Sequence, residues 1–216
     1  CIHILDTRLW TISKEQRKLL KKAIADLGIE VEAFSAHDWP LPYASFTSED
    51  KESKKLGMAW TKGIIDLAAD FGTKIVTTHV PSPQIRAPKL LSGMPRGFLR
   101  GMGERGPMFG RSRPYTEEER KLMIQSVGEC ADYSKDRNVI FAIEEYSPVG
   151  FWKDFIKEVG SSALKINFHV GRAWAEMYST KGVIEEPCLP EAVREFGSLI
   201  VHVHCMDYKT VSSLPP

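Results

Sequence analysis

Short apolar segments alternate along the chain with longer segments in which apolar residues recur every three or four positions. The short segments predict six β-strands, which lie at residues 1–5, 29–34, 74–78, 139–143, 164–168 and from 199 onward. The longer segments predict helices, at residues 13–27, 48–71, 116–134, 152–159 and 190–196. Strand and helix alternate without a break in composition, so we expect one α/β domain with a parallel sheet.

Several predicted helices have recognisable ends and an apolar stripe. Ser13 with Gln16, and Thr116 with the glutamate three residues later, form capping-box pairs at helix starts. Gly28 and Gly72 follow two helices at the position where a left-handed residue commonly ends them. The stripes that we expect to face the core are Leu19, Leu20, Ala23, Ile24 and Leu27 in the first helix, and Leu56, Trp60, Ile64, Leu67 and Phe71 in the second.

Almost every predicted strand ends in an ionisable residue, and these residues are Asp6, His37, His79, Glu144, His169 and His204. A single polar residue at a strand end usually makes a structural hydrogen bond. In a parallel α/β barrel, however, the carboxyl ends of all strands meet on one face, where active sites are built. Six ionisable residues at such positions therefore favour a functional site over six unrelated hydrogen bonds.

The last strand carries two histidines with alternate spacing. His202 and His204 are two residues apart, so both side chains point to the same face of the sheet. Asp207 and Lys209 follow where the strand gives way to a loop. Imidazoles and carboxylates from different strands would suit a divalent metal, and the histidines favour Mn, Co, Zn or Fe over Mg.

Residues 84–114 differ in composition from the rest of the chain. They contain six glycines, four prolines and seven Arg or Lys residues against one acid. Long loops inside a compact domain are uncommon and often form lids or binding loops. The segment is either a solvated insertion or a basic lid over an anionic or polyhydroxyl ligand.

Composition restricts the class of protein. The 216 residues suffice for one domain with a sizeable core, and the net charge of +1 argues against affinity of the whole protein for nucleic acid or a membrane. No apolar run reaches the ~18 residues of a membrane helix, and we recognise no signal peptide at the start. The four cysteines are too widely spaced for a metal-binding pair, so we expect reduced thiols in a cytoplasmic protein.

Three motifs in order resemble the xylose-isomerase-like TIM barrels, a superfamily of sugar isomerases and epimerases. They are AIEEY (142–146), INFHVGRAW (166–174) and HVHCMD (202–207), and the opening DTRLW and EAFSAHDWP segments are also similar. The resemblance implies a TIM (β/α)8 barrel in which the second to seventh strand–helix units are recognisable. Residues 1–216 would then form a single domain that is incomplete at both ends, with 84–114 as its lid or insertion.

The same resemblance implies a metal centre and a reaction. Glu144, His169 and His204 would bind the metal together with a glutamate of the eighth strand, which this sequence lacks. Glu144 would also act as a catalytic acid or base, on a proton next to a carbonyl that the metal polarises. His79, Arg172 and Asp207 would contact a sugar-like substrate, and the resemblance leaves open that the protein is a homo-oligomer.

Three positions depart from the family pattern and keep other functions open. The family usually has Asp at position 169, often His at 172 and usually Lys at 206, where this chain has His169, Arg172 and Met206. We therefore expect a metal-dependent isomerase, epimerase or related lyase. The alternatives are a catalytically degenerate barrel that serves as a binding or assembly subunit, and an endonuclease IV-like phosphodiesterase. Against the phosphodiesterase, this sequence has too few histidines and acids for a three-zinc site.

Overall fold

The computed structural model describes residues 2–4, 12–36, 46–80, 115–144, 149–170 and 188–205. Its six strands are β1 (Ile2–Ile4), β2 (Val31–Ser35), β3 (Ile75–Thr78), β4 (Ile140–Ile143), β5 (Leu164–His169) and β6 (Ile200–His204). The α-helices whose bounds lie within these residues are α1 (Lys14–Asp26), α2 (Lys51–Phe71), α3 (Glu117–Lys135), α4 (Val149–Val159) and α5 (Cys188–Phe196). Strand and helix alternate as the sequence predicts.

All six strands form one parallel sheet in the order in which they occur along the chain. Each strand therefore pairs with the next one, and the chain returns between them to the same end of the sheet. Sequential parallel order is the arrangement of a (β/α)8 barrel, of which the described residues supply six strands. The carboxyl ends of these strands consequently lie along one edge.

The predicted helix caps are present. The hydroxyl of Ser13 accepts a hydrogen bond from the Gln16 N–H at 3.2 Å, and the Gln16 side chain accepts one from the Ser13 N–H at 2.9 Å. Thr116 and Glu119 exchange the same pair of bonds at the start of α3, at 3.2 and 2.8 Å. Gly72 ends α2 in the left-handed conformation, with φ of 78°.

Helix α2 begins three residues later than predicted because a different residue caps it. The carboxylate of Asp50 accepts a hydrogen bond from the Ser53 N–H at 2.9 Å, which makes Asp50 the N-cap. The Ser48 hydroxyl instead accepts from the Asp50 N–H at 3.1 Å, in the turn before the helix.

The buried face of α2 is rotated from the predicted stripe. Trp60, Ile64 and Leu67 are buried as expected, but Leu56 is 57% exposed, so its prediction as a core residue is wrong. The centre of the buried face runs along Ile64 and Ala68, and at 100° per residue Leu56 falls to one side of it.

Helix α1 packs more loosely than its stripe predicts. None of its residues is buried, and Leu19 and Leu27 are largely exposed. The helix contacts α2 through polar groups: Arg17 Nη1 lies 3.1 Å from a carboxylate oxygen of Asp70, and Lys21 Nζ donates to the Asp70 carbonyl at 2.7 Å. Within the described residues, every helix is too short or too polar to cross a lipid bilayer.

Candidate metal centre

Four of the predicted site residues lie at the carboxyl ends of four consecutive strands. His79 follows β3, Glu144 follows β4, and His169 and His204 are the last residues of β5 and β6. His169 and His204 are paired in the sheet register, and the backbone N–H of Glu144 donates to the Thr78 carbonyl at 2.6 Å. The parallel register thus places side chains that are distant in sequence beside one another.

Glu144, His169 and His204 form a compact cluster in which one ligand atom from each lies within 4.8 Å of the others. Glu144 Oε2 is 2.9 Å from His204 Nδ1, and Glu144 Oε1 is 3.8 Å from His169 Nε2. Two ligand atoms bound to one metal at about 2.0–2.2 Å lie about 3–4 Å apart, and the distance between Glu144 Oε1 and His169 Nε2 fits this spacing. The structure brings together the three residues that we predicted as ligands.

The chemistry of these donors also fits a metal. Glu144 is 2% exposed and His169 is 8% exposed, and a buried carboxylate requires a positive partner or hydrogen-bond donors to stay ionised. Two imidazoles and one carboxylate suit Zn, Fe, Co or Mn better than Mg, which prefers oxygen ligands. Glu144, His169 and His204 would hold such an ion.

His79 lies beside this cluster. Its Nε2 is 3.7 Å from Glu144 Oε1, the oxygen that also faces His169, and its side chain is partly exposed. This position suits a group that contacts a ligand at the metal, and the role stays a prediction. Arg172, Asp207, Met206 and the predicted lid at 84–114 lie outside the described residues, as do Asp6 and His37.

Sequence reasoning did not identify Asn167, which is buried in β5 next to the cluster. Its Nδ2 donates to Glu144 Oε2 at 2.9 Å and lies 3.1 Å from His204 Nδ1. The signal was present, because residues 167 and 169 are two apart on a strand and must share a face. A buried amide on the same face as a candidate metal ligand is a candidate hydrogen-bond partner for the ligands.

His202 shares its face with His204, as predicted, and the two rings meet edge to face with centroids 5.0 Å apart. His202 Nδ1 is 2.9 Å from Asn167 Oδ1, and its Nε2 is 3.9 Å from Glu32 Oε1 on β2. Burial, followed by the proximity of His204, lowers the pKa of His202 and so favours the neutral ring. His202 therefore lies in a layer of polar groups beneath the cluster.

Comparison with known proteins agrees with the fold. The sequence model of the xylose isomerase-like TIM barrel family matches residues 2–213. Comparison with curated protein sequences gives no significant match.

Several solved structures share the fold. A 3-keto-D-glucoside 4-epimerase from E. coli has a TM-score of 0.66 at 16% identity, over 94% of this chain and 68% of that one. D-psicose 3-epimerase from Clostridium cellulolyticum H10 has a TM-score of 0.63 at 16% identity, over 94% of this chain and 61% of that one. A TIM barrel protein from Mycobacterium smegmatis, solved in complex with magnesium, has a TM-score of 0.55 at 22% identity, over 82% and 57%.

This chain therefore spans between 57% and 68% of the length of these three proteins. At identities this low, the structural matches establish only that the fold is shared. The family model, in contrast, matches nearly the whole sequence. The protein belongs to the xylose isomerase-like TIM barrel family.

Proposed function

We propose that the protein is a divalent-metal-dependent isomerase or epimerase, or a related lyase, that acts on a sugar or sugar-like substrate. The reaction would begin with removal of a proton from the carbon next to a carbonyl. The observation that carries this proposal is the Glu144, His169 and His204 cluster at the carboxyl edge of the sheet. The E. coli and Clostridium proteins are both epimerases of keto-sugars, which supports the substrate class.

The side chains divide the work by position. Glu144 and the two histidines would bind the ion, which supplies Lewis acidity toward a substrate carbonyl when it is bound. Glu144 would also exchange a proton with the adjacent carbon, as a carboxylate in a water-poor site can do. His79, at 3.7 Å from Glu144 Oε1, would hold a hydroxyl or the carbonyl of the substrate. Arg172 and Asp207 are proposed as further substrate contacts on the basis of the family resemblance.

Metal content tests the first half of the proposal. Elemental analysis of the purified chain, after incubation with Mn, Co, Zn or Fe(II) and removal of excess ion, should find about one ion per chain. His169→Ala should lose it because one of three ligands is removed. His79→Ala is the matched control, since it removes a neighbouring imidazole outside the ligand cluster and should leave the metal content unchanged.

Isotope exchange tests the second half. The metal-loaded chain is incubated in D2O with ketoses, sugar phosphates and oxidised glycosides, and deuterium incorporation next to the carbonyl is followed by NMR. We expect exchange with at least one substrate, and its loss in Glu144→Gln. A chain that binds metal but exchanges no proton would favour the binding or assembly barrel, and cleavage of abasic DNA would favour the endonuclease-like alternative.

A further inference from the structure

The side chain of Asn167 connects the metal cluster to the polar layer beneath it. Asn167 is fully buried, and the sheet places it on β5 between Glu144 on one side and the two histidines of β6 on the other. Its Nδ2 lies 2.9 Å from Glu144 Oε2 and its Oδ1 lies 2.9 Å from His202 Nδ1. One amide thus contacts a predicted metal ligand with one end and a buried histidine with the other.

The direction of this amide follows from what its neighbours can accept. An ionised carboxylate accepts hydrogen bonds and donates none, so the NH2 group must face Glu144. The oxygen of Asn167 then faces His202, which can pair with it only if Nδ1 carries the hydrogen. The hydrogen bond to His202 therefore opposes a flip of the amide that would turn its oxygen toward Glu144.

Holding one oxygen of Glu144 determines where the other points. Oε2 is contacted by Asn167 Nδ2 and by His204 Nδ1, each at 2.9 Å, whereas Oε1 faces His169 at 3.8 Å and His79 at 3.7 Å. The carboxylate then presents Oε1 toward the space shared with His169.

We propose that Asn167, oriented by His202, is a positioning residue that fixes Glu144 with Oε1 directed at the metal. The proposal rests on the function proposed above, since it requires Glu144 to be a ligand. Groups that hydrogen-bond to metal ligands orient them, and their removal typically weakens metal binding about 10- to 100-fold. Asn167 would act in this way through Glu144 and without contacting substrate.

The test compares Co(II) affinity, by titration calorimetry, and the visible Co(II) absorption spectrum in the chain and in Asn167→Leu. Leucine has the same branching as asparagine but cannot form hydrogen bonds. We expect affinity to fall about 10- to 100-fold and the spectrum to change, because Glu144 is no longer held in one orientation. Thr77→Val is the control: it removes a buried hydroxyl of the same sheet, 3.4 Å from Ser35 Oγ, and should leave both readouts unchanged.

Variants of His202 test the orientation of the amide separately. In His202→Asn the amide nitrogen takes the place of Nδ1 and can still donate to Asn167 Oδ1, so this variant should keep most of the Co(II) affinity and the spectrum. His202→Leu cannot donate a hydrogen bond, so its Co(II) affinity should fall and its Co(II) spectrum should change as in Asn167→Leu. If Asn167→Leu does not fold, the difference between the two His202 variants decides the question.

The outcomes separate this inference from the proposed function. Wild-type affinity and spectrum in folded Asn167→Leu, or equal effects of the two His202 variants, would refute the positioning role while leaving the metal centre intact. A wild-type chain that binds no Co(II), Mn(II) or Zn(II) would refute the proposed metal centre, and the positioning role with it.

Discussion

At the residue level, the net charge of the proposed metal centre depends on residue 169, which is a histidine here and not an acid. Glu144 is the single carboxylate in the cluster that the described residues form, and both other members are imidazoles. Bound to a divalent ion, two neutral imidazoles and one carboxylate leave a net charge of about +1. An acid at position 169, as the family resemblance implies for relatives, would neutralise that charge. The histidine would therefore make the proposed centre more electrophilic and less suited to Mg.

This argument predicts a change of metal preference in His169→Asp. The new carboxylate supplies a hard oxygen ligand, so affinity for Mg should rise relative to affinity for Co. We expect the ratio of the two Kd values to shift by about tenfold or more, which corresponds to ~1.4 kcal/mol of differential binding. Titration calorimetry with each ion measures it. His79→Asn is the control and should leave the ratio unchanged; an unchanged ratio in His169→Asp would mean that residue 169 is not a ligand.

The proximity of the three candidate ligands could be predicted because their signal is positional. Parallel strands that follow one another in a sheet end on the same edge, so an ionisable residue at each strand end is enough to bring Glu144, His169 and His204 together. Asn167 could not be predicted in the same way. Strand alternation places it on the correct face, but the register between β4, β5 and β6 decides which atoms its amide meets, and that register is a product of the folded sheet.

At the element level, the two capping boxes were more predictable than the buried faces of the helices. Capping depends on residues three positions apart, so the sequence contains all of the information for Ser13 with Gln16 and for Thr116 with Glu119. Which side of a helix is buried depends instead on how the helix sits on the sheet. For α2 the predicted stripe included Leu56, and packing on the sheet buries a face that excludes it.

Two leucines of α2 test this rotation of the buried face. Leu67 is fully buried, so Leu67→Ala should lower the free energy of unfolding by about 2–5 kcal/mol through lost burial and a cavity. Leu56→Ala removes the same atoms from an exposed position and should change it by less than about 0.5 kcal/mol. Urea unfolding followed by circular dichroism measures both. Equal losses in the two variants would contradict the packing of α2 described above.

Two glycines at which an added Cβ would have open space form a second matched pair. Gly72 has φ of 78° and ends α2, so a Cβ there would meet no atom within 4 Å but would strain the backbone. Gly72→Ala should therefore cost about 1–2 kcal/mol of unfolding free energy. Gly150 lies in α4 with equally open space, and there alanine should add up to about 0.5–1 kcal/mol because it restricts the unfolded chain and favours the helix. If urea unfolding shows that both substitutions change the free energy of unfolding in the same direction, backbone conformation is not what distinguishes the two sites.

At the level of the whole molecule, the candidate centre connects strands that are far apart in the sequence. Glu144, His169 and His204 follow or end β4, β5 and β6, and the ion they would share contacts all three strands at one edge of the sheet. Such an ion binds the folded arrangement and not the extended chain, in which these residues are far apart. Metal binding should therefore stabilise the entire sheet against unfolding.

Thermal unfolding with and without Co(II) measures this coupling. At a concentration 100 times its Kd, an ion that binds only the folded state adds about 2.7 kcal/mol, which for a chain of this length raises Tm by roughly 5–10 °C. His169→Ala should lose most of the shift, since its weaker site is far from saturation at the same concentration. His79→Ala, which retains all three ligands, should keep it. A full shift in His169→Ala would mean that the ion binds elsewhere on the chain, because only binding through the cluster makes the stabilisation depend on that imidazole.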